Sequence, residues 1–312
     1  MERRPLGQSG LSVSPIALGC AAMGGDEEWG PVDDNESIAT IHSAIELGIN
    51  LIDTAPTYGN GHAEEIVGKA VQSCRDEVIV ATQCGLVGGA DEGESRRCLT
   101  AASIQRECER SLRRLRVEFI DLYQCHWPDP DTPIEETLGA MNRLVEQGKV
   151  RAVGLCNYGC QRLAEARAAG TFHTVQLQLS LLKRQATDEL IPYCQEYQLG
   201  VLAYGALGRG LLTGALGADV HLSDARRRDP EFQGRRYAGI LALVEKVRPV
   251  AENHGKSVGQ VALNWVCEYP GVTAVIVGAT RPSQIRENVG AIGWRLDGAE
   301  QGIIDAVLSE RD

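Results

Sequence analysis

The sequence predicts an α/β fold, a closed (β/α)₈ TIM barrel with an N-terminal β-hairpin and a long loop after strand seven. Three observations predict it. Eight short runs rich in Val, Ile and Leu recur along the 312 residues. Helical patterns separate most of them. The runs are continuously apolar rather than alternating, which marks strands covered on both faces, as in a parallel sheet. Eight such strands and their helices favour a closed barrel over an open sheet, and barrels of this length form one domain, here residues 1–312.

The strand candidates are residues 16–19, 50–55, 78–83, 119–126, 150–157, 174–180, 200–206 and 274–279. Helix signals fall between them. Asp34 or Asn35 is expected to cap residues 36–47, with Gly48 as the stop. Thr100 or Ser103 opens 104–115, where Cys108, Leu112 and Leu115 share a face. Thr132-Pro133 followed by two glutamates begins a helix that runs to Gly148. Further helices fit 161–169, 188–197, 258–268 and 283–289.

Two segments stand outside this repeat. Residues 4–14 read as a hairpin around Gly7-Gln8-Ser9-Gly10, placed to plug the bottom of the barrel. Residues 207–237 form a long polar insertion after strand seven, expected to act as a lid because loops after strands lie on the catalytic face. Its arginines, Arg226-Arg227-Arg228 and Arg235-Arg236, read as solvated surface.

Composition narrows the function. A hydrophobic fraction of 43% supports a sizeable core and excludes a disordered chain. A net charge of −11 argues against a nucleic-acid or anionic-membrane surface, both of which demand a basic face. The start, Met1-Glu2-Arg3-Arg4-Pro5, lacks a signal peptide's apolar core, and no run approaches the roughly 20 apolar residues of a membrane span. A cytoplasmic protein is the expectation. The ten cysteines are scattered without a Cys-x-x-Cys pair and read as buried free thiols. No metal-ligand spacing is present.

The strand ends carry the polar chemistry. Asp53, Gln83, His126 and Asn157 end strands two to five, Tyr204 lies in strand seven, and Gly278-Ala279 closes strand eight. Taken singly, Asp53 suits a helix cap, Tyr58 a turn and His126 a satisfied interior position. Several polar ends converging on one barrel mouth make a site.

Longer segments carry a resemblance. Asn50-Leu51-Ile52-Asp53-Thr54-Ala55-Pro56-Thr57-Tyr58-Gly59, Asp121-Leu122-Tyr123-Gln124-Cys125-His126-Trp127-Pro128, Gly154-Leu155-Cys156-Asn157 and Ala203-Tyr204-Gly205-Ala206-Leu207-Gly208-Arg209-Gly210 occur in that order. Gly278-Ala279-Thr280-Arg281, Gln284 and Glu287-Asn288 follow. Together they resemble the aldo-keto reductase family along nearly the whole chain.

The resemblance implies NADPH-dependent reduction of a small carbonyl compound: an aldehyde, a ketone, a sugar-derived carbonyl or a conjugated enone. It makes Tyr58 the proton donor and lets His126 orient the carbonyl. Tyr204 would stack on the nicotinamide, while Asn157 and Gln176 would hold its carboxamide. Met23, Asp53, Gly205, Leu207, Gly208 and Gly210 would complete that side of the cofactor site. Gly278, Ala279, Arg281, Gln284, Glu287 and Asn288 would hold the adenosine end, where Arg281 suits a 2′-phosphate. The substrate pocket would draw on Trp29, Tyr58, His126, Trp127 and Tyr158.

One position departs from the family. Val80-Ala81-Thr82-Gln83 stands where the family reads Thr-Lys, so Gln83 replaces a catalytic lysine. Glutamine donates a hydrogen bond but supplies no charge to lower a tyrosine pKa. Asp53 loses an ion-pair partner and is expected to be protonated or rebonded to Gln83. Three readings stay open: a reductase with an altered tetrad, a redox-neutral enzyme of epimerase or lyase type, and a cofactor-binding module of low activity that works through a partner.

Overall fold

The structure is a computed structural model that describes residues 1–25, 29–88, 96–220, 222 and 225–309. The eight expected strands all form: β1 (Ile16–Gly19), β2 (Leu51–Asp53), β3 (Ile79–Cys84), β4 (Ile120–Cys125), β5 (Val150–Cys156), β6 (Thr174–Gln178), β7 (Gly200–Tyr204) and β8 (Ala274–Gly278). They are parallel and close on themselves, each pairing with the next and β8 with β1. The (β/α)₈ barrel is therefore observed.

Continuous strand hydrophobicity has the expected cause, because each strand is covered twice. Outward-facing Ile52, Val80, Tyr123, Val153 and Val175 join the main apolar layer between barrel and helices. Inward-facing Leu51, Ile79, Ala81, Leu122, Ala152 and Leu202 form a second cluster with Leu6, Leu11 and Val13. Those last three belong to the N-terminal hairpin, in which Arg4–Pro5 pairs with Ser12–Val13. The hairpin thus plugs the barrel's lower end. Arg4 fastens it to the outer ring through Glu268 at 2.7 Å and the Cys267 carbonyl at 2.7 Å.

Seven helices match expected ones in place: α1 (Asp34–Glu46), α3 (Ala101–Leu115), α4 (Ile134–Glu146), α5 (Cys160–Ala169), α6 (Leu190–Glu196), α8 (Val258–Cys267) and α9 (Pro282–Val289). The α1 cap is Asp33 rather than Asp34 or Asn35. Its carboxylate accepts from the amides of Asn35 and Glu36, which only an extended residue ahead of the helix can do.

Three more helices escape the sequence reading: α2 (His62–Val71), α7 (Gly234–Asn253) and α10 (Gly298–Ser309). Gly68 within α2 and Pro249 within α7 weaken the local signal. Packing decides instead, since Ile240, Leu243, Val244, Val247 and Val250 bury one side of α7.

The lid is also more structured than a polar loop. Leu211, Phe232, Tyr237 and Ile240 build a small core under it, joined by Leu182, Leu216, Val220 and Leu222. Its residues 221, 223 and 224 lie outside the described residues. Arg227, Arg228, Arg235 and Arg236 are exposed as expected, whereas partly buried Arg226 bonds the Arg209 carbonyl at 3.1 Å.

Buried charge fixes the helical layer to the barrel. Glu64 on α2 is fully buried, accepts from Thr82 of β3 at 2.7 Å, and pairs with Arg114 of α3 at 2.6 Å. Breaking a buried pair strands a charge, so Arg114→Ala is expected to cost about 3–5 kcal/mol in chemical denaturation. Adding Glu64→Gln to that variant should recover part of the loss, because a neutral amide tolerates the missing cation better.

Candidate active site at the barrel mouth

Strand parity changes chemistry halfway up the barrel. Leu51, Ala81 and Leu122 point inward with the plug cluster. Two residues further along the same faces stand Asp53 on β2, Gln83 on β3 and Gln124 on β4, joined by Gln176 of β6. Register sets Gln83 directly beside Gln124. The interior therefore passes from an apolar layer to a polar one just below the C-terminal mouth.

That layer is dry and holds one carboxyl group among three amides. Asp53 is 3% exposed, Gln83 and Gln124 are fully buried, and Gln176 is 5% exposed. The Gln176 amide donates to Asp53 Oδ1 at 3.0 Å, Gln124 to the same oxygen at 3.3 Å, and Gln83 to Oδ2 at 3.4 Å. Burial pushes the Asp53 carboxyl up to about 7, against the opposing pull of these hydrogen bonds.

Gln124 is a site residue that the sequence reading passes over. Its signal was present, because it shares inward parity with His126 two residues later. Gly154 of β5 makes room for it. A methyl group there would stand 2.2 Å from Thr174 Oγ1 and 2.9 Å from Gln124 Cγ. The glycine of the Gly154-Leu155-Cys156-Asn157 segment thus has a packing reason.

Tyr58 and His126 sit above this layer, both partly exposed. Their rings meet edge to face, with centroids 6.2 Å apart. The Tyr58 turn is held from below, since its amide bonds Ala55 and its carbonyl accepts from Ala63. It is also held from the side. Gly59, at φ 60°, packs so closely on Gly24 that a methyl group would come within 1.9 Å of the Gly24 carbonyl oxygen. Burial raises the Tyr58 pKa well above its usual value, Asp53 raises it further whenever it is ionised, and hydrogen bonding from Gln83 pulls it down. Burial alone lowers His126 to about 4. At neutral pH both side chains are uncharged.

The expected cofactor residues fall into distinct settings. Asn157 adopts φ 65° at the end of β5, donates to the His126 carbonyl at 3.0 Å and accepts from the Tyr204 hydroxyl at 2.8 Å. It ties three strand ends together. Gln176 spends its amide on Asp53 and accepts from Gln83 at 3.5 Å. Gly205, Gly208 and Gly210 all have positive φ in the loop after β7, with Leu207 leading its helical turn. Next to β8, Gln284 Oε1 accepts from the Thr280 and Arg281 amides, Asn288 reaches the Gly278 carbonyl, and Glu287 accepts from Ser257. Gln284 thereby shapes the turn that presents exposed Arg281, with Ala279 buried beneath it.

Two expected contacts are corrected. Met23 has no exposed surface, and Tyr158 is only 2% exposed. Both belong to the apolar layer between strands and helices and offer no surface to a ligand. Tyr158 follows Asn157, whose φ of 65° is left-handed. Trp29 and Trp127 stay partly exposed, under the guanidinium groups of Arg209 at 5.5 Å and Arg97 at 5.4 Å respectively. All ten cysteines are free. Among the described residues there is no metal-ligating cluster, and no helix is long and apolar enough to cross a membrane.

A barrel with polar and ionisable side chains gathered at the C-terminal ends of its strands has the place and the chemistry of an enzyme active site. The comparisons make that reading specific. The aldo/keto reductase family model matches residues 15–309. An aldo-keto reductase of Bacillus subtilis is 39% identical, covering 99% of this chain and 94% of its own. The NADH-specific methylglyoxal reductase of Escherichia coli is 34% identical, covering 96% of each. Among solved structures, a glycerol dehydrogenase from Gluconobacter oxydans superposes with a TM-score of 0.91 at 39% identity, covering 99% of this chain and 95% of that one. An aldo-keto reductase from Klebsiella pneumoniae in complex with NADPH gives 0.77 at 27% identity, with coverage of 99% and 95%. The chain belongs to the aldo-keto reductase family, whose members are NAD(P)-dependent oxidoreductases.

The crowding around Gly154 gives a direct check. Gly154→Ala should push Gln124 away from Asp53 and destabilise the fold by about 1–3 kcal/mol, the usual cost of overpacking. Thermal melting measures the loss.

Proposed function

We propose that this protein reduces a small carbonyl compound with NADPH, using Tyr58 as the proton donor and an acid–base group altered at Gln83. One observation carries this reading: the neutral Tyr58 hydroxyl and the neutral His126 imidazole share the mouth with their rings in contact. Bound NADPH supplies the hydride. The chain must then protonate the carbonyl oxygen and stabilise it as negative charge develops. A protonated tyrosine is the donor for that oxygen. Uncharged His126 contributes a second hydrogen bond, which orients the carbonyl.

The exposed Arg281 at the start of α9 suits the 2′-phosphate of NADPH, and the related Klebsiella enzyme is found with NADPH. The NADH-specific name of the Escherichia coli relative makes the nucleotide worth measuring directly. Partly exposed Trp29 and Trp127, with the lid, would wall a small polar carbonyl substrate.

Direction follows from the acid. Reduction needs a proton delivered, which neutral Tyr58 can do, whereas alcohol oxidation needs tyrosinate, disfavoured while its pKa is raised. With NADPH and a panel of aldehydes, ketones and enones at pH 7, reduction should outpace oxidation of the matching alcohols. Tyr58→Phe should lower kcat/KM by about 10²–10⁴. Unchanged turnover in Tyr58→Phe would remove Tyr58 from the role. Product without net NADPH consumption would point to redox-neutral chemistry, and absence of NADPH binding in fluorescence titration would overturn the reading.

A further inference from the structure

The polar layer of the barrel is incompletely paired, and among the described residues the Thr54 and Thr174 hydroxyls are also buried without a partner. Asp53 receives three amide N–H bonds, yet Gln83 Oε1 and Gln124 Oε1 in the same layer are buried and accept none. A buried amide oxygen without a donor is costly, and so is a buried carboxylate without a cation.

The groups that face Asp53 offer it no positive charge. From the β1 end comes the Cys20 thiol, and from β5 the Cys156 thiol, both raised by burial and so protonated. From the turn after β2 comes the Tyr58 hydroxyl; from β3, β4 and β6 come the amides of Gln83, Gln124 and Gln176. His126, at the end of β4, is neutral above pH about 4. Among the described residues, no lysine or arginine pairs with Asp53.

We propose that Asp53 rests as a neutral carboxylic acid caged by three glutamine amides, and that its own proton, in place of a neighbouring cation, makes Tyr58 able to release one. The acid form turns one acceptor into an O–H donor, and it removes the net charge from a dry interior in which, among the described residues, no cation faces it. It also removes an anion from beside Tyr58. An ionised Asp53 opposes tyrosinate formation, and so would retard the proton transfer that reduction requires. Gln124 and Gln176 are then positioning residues that act through Asp53. The protonation state is independent of which substrate is reduced; only its catalytic consequence rests on the carbonyl-reductase reading.

Spectroscopy and folding equilibria test this without substrate. In wild-type protein labelled with ¹³C-aspartate, infrared spectra at pH 6 should show one protonated carboxylic C=O band that shifts with the label. Asp53→Asn should lack that band. So should Gln83→Lys, because an ammonium group beside Asp53 favours the carboxylate.

The stability sign follows from linkage. The carboxyl titrates near 3.8 in the unfolded chain and near 7 when buried, so the unfolded state alone ionises between those values. Wild type should lose stability relative to Asp53→Asn as pH rises through this window, by on the order of a thousandfold in the unfolding constant, and then level off. A missing acid band in wild type, or parallel pH dependence in the two proteins, would overturn the proposal. If Asp53→Asn fails to fold, the band in wild type and its loss in Gln83→Lys decide it alone. Conversely, an intact acid band in a protein that reduces no carbonyl would sink the reductase reading and leave the neutral acid standing.

Discussion

A carboxyl group held inside the barrel by amides, without a countercharge, is the constraint on which the rest of the site depends. Asp53 is almost completely enclosed, and its three donors come from strands β3, β4 and β6. Holding all three within hydrogen-bonding distance demands a closed barrel in fixed register. It also demands space, which Gly154 leaves for Gln124 and Thr174. Water is kept away from below by the hairpin plug and its apolar cluster. Low local polarity then raises the Asp53 and Tyr58 pKa values and lowers that of His126. The site's protonation pattern is thus a consequence of how the barrel is filled.

The side chains proposed to be catalytic leave short segments braced by the fold. Tyr58 leaves a short turn braced by Gly24 against Gly59. His126 follows directly from β4, and its carbonyl is held by Asn157, which in turn accepts from Tyr204. Outside the barrel, buried Asp121 of β4 pairs with Arg75 at 2.6 Å and Arg151 at 2.8 Å, while its carboxylate also accepts from the Val80 amide. The lid is built differently. It has its own small apolar core, and its Arg209 lies over Trp29 and pairs with Asp229 of the same segment at 3.5 Å.

Much of this was legible in the residues. Continuous apolar runs locate all eight strands, because a strand covered on both faces shows no alternation. Polar residues at strand ends point to Asp53, Gln83 and His126. Local pattern fails where packing overrides it. Pro249 and Gly68 disguise α7 and α2, which form because they cover apolar surface. The resemblance offers Met23 as a cofactor contact and Tyr158 as a pocket residue, yet both lie in the outer apolar layer, and nothing in their side chains distinguishes the two locations.

Fold, family and the neutral residue at position 83 were determined by the sequence alone, since strand periodicity, ordered motifs and residue identity are all written along the chain. The company that Asp53 keeps was decided only in three dimensions. Gln83, Gln124 and Gln176 are separated by 41 and 52 positions, and no local signal links them. Barrel closure brings them to one level, and burial there turns three ordinary amides into the hydrogen-bond donors of an enclosed acid. A pKa depends on solvent access and on neighbours distant in sequence, so it belongs to the tertiary structure.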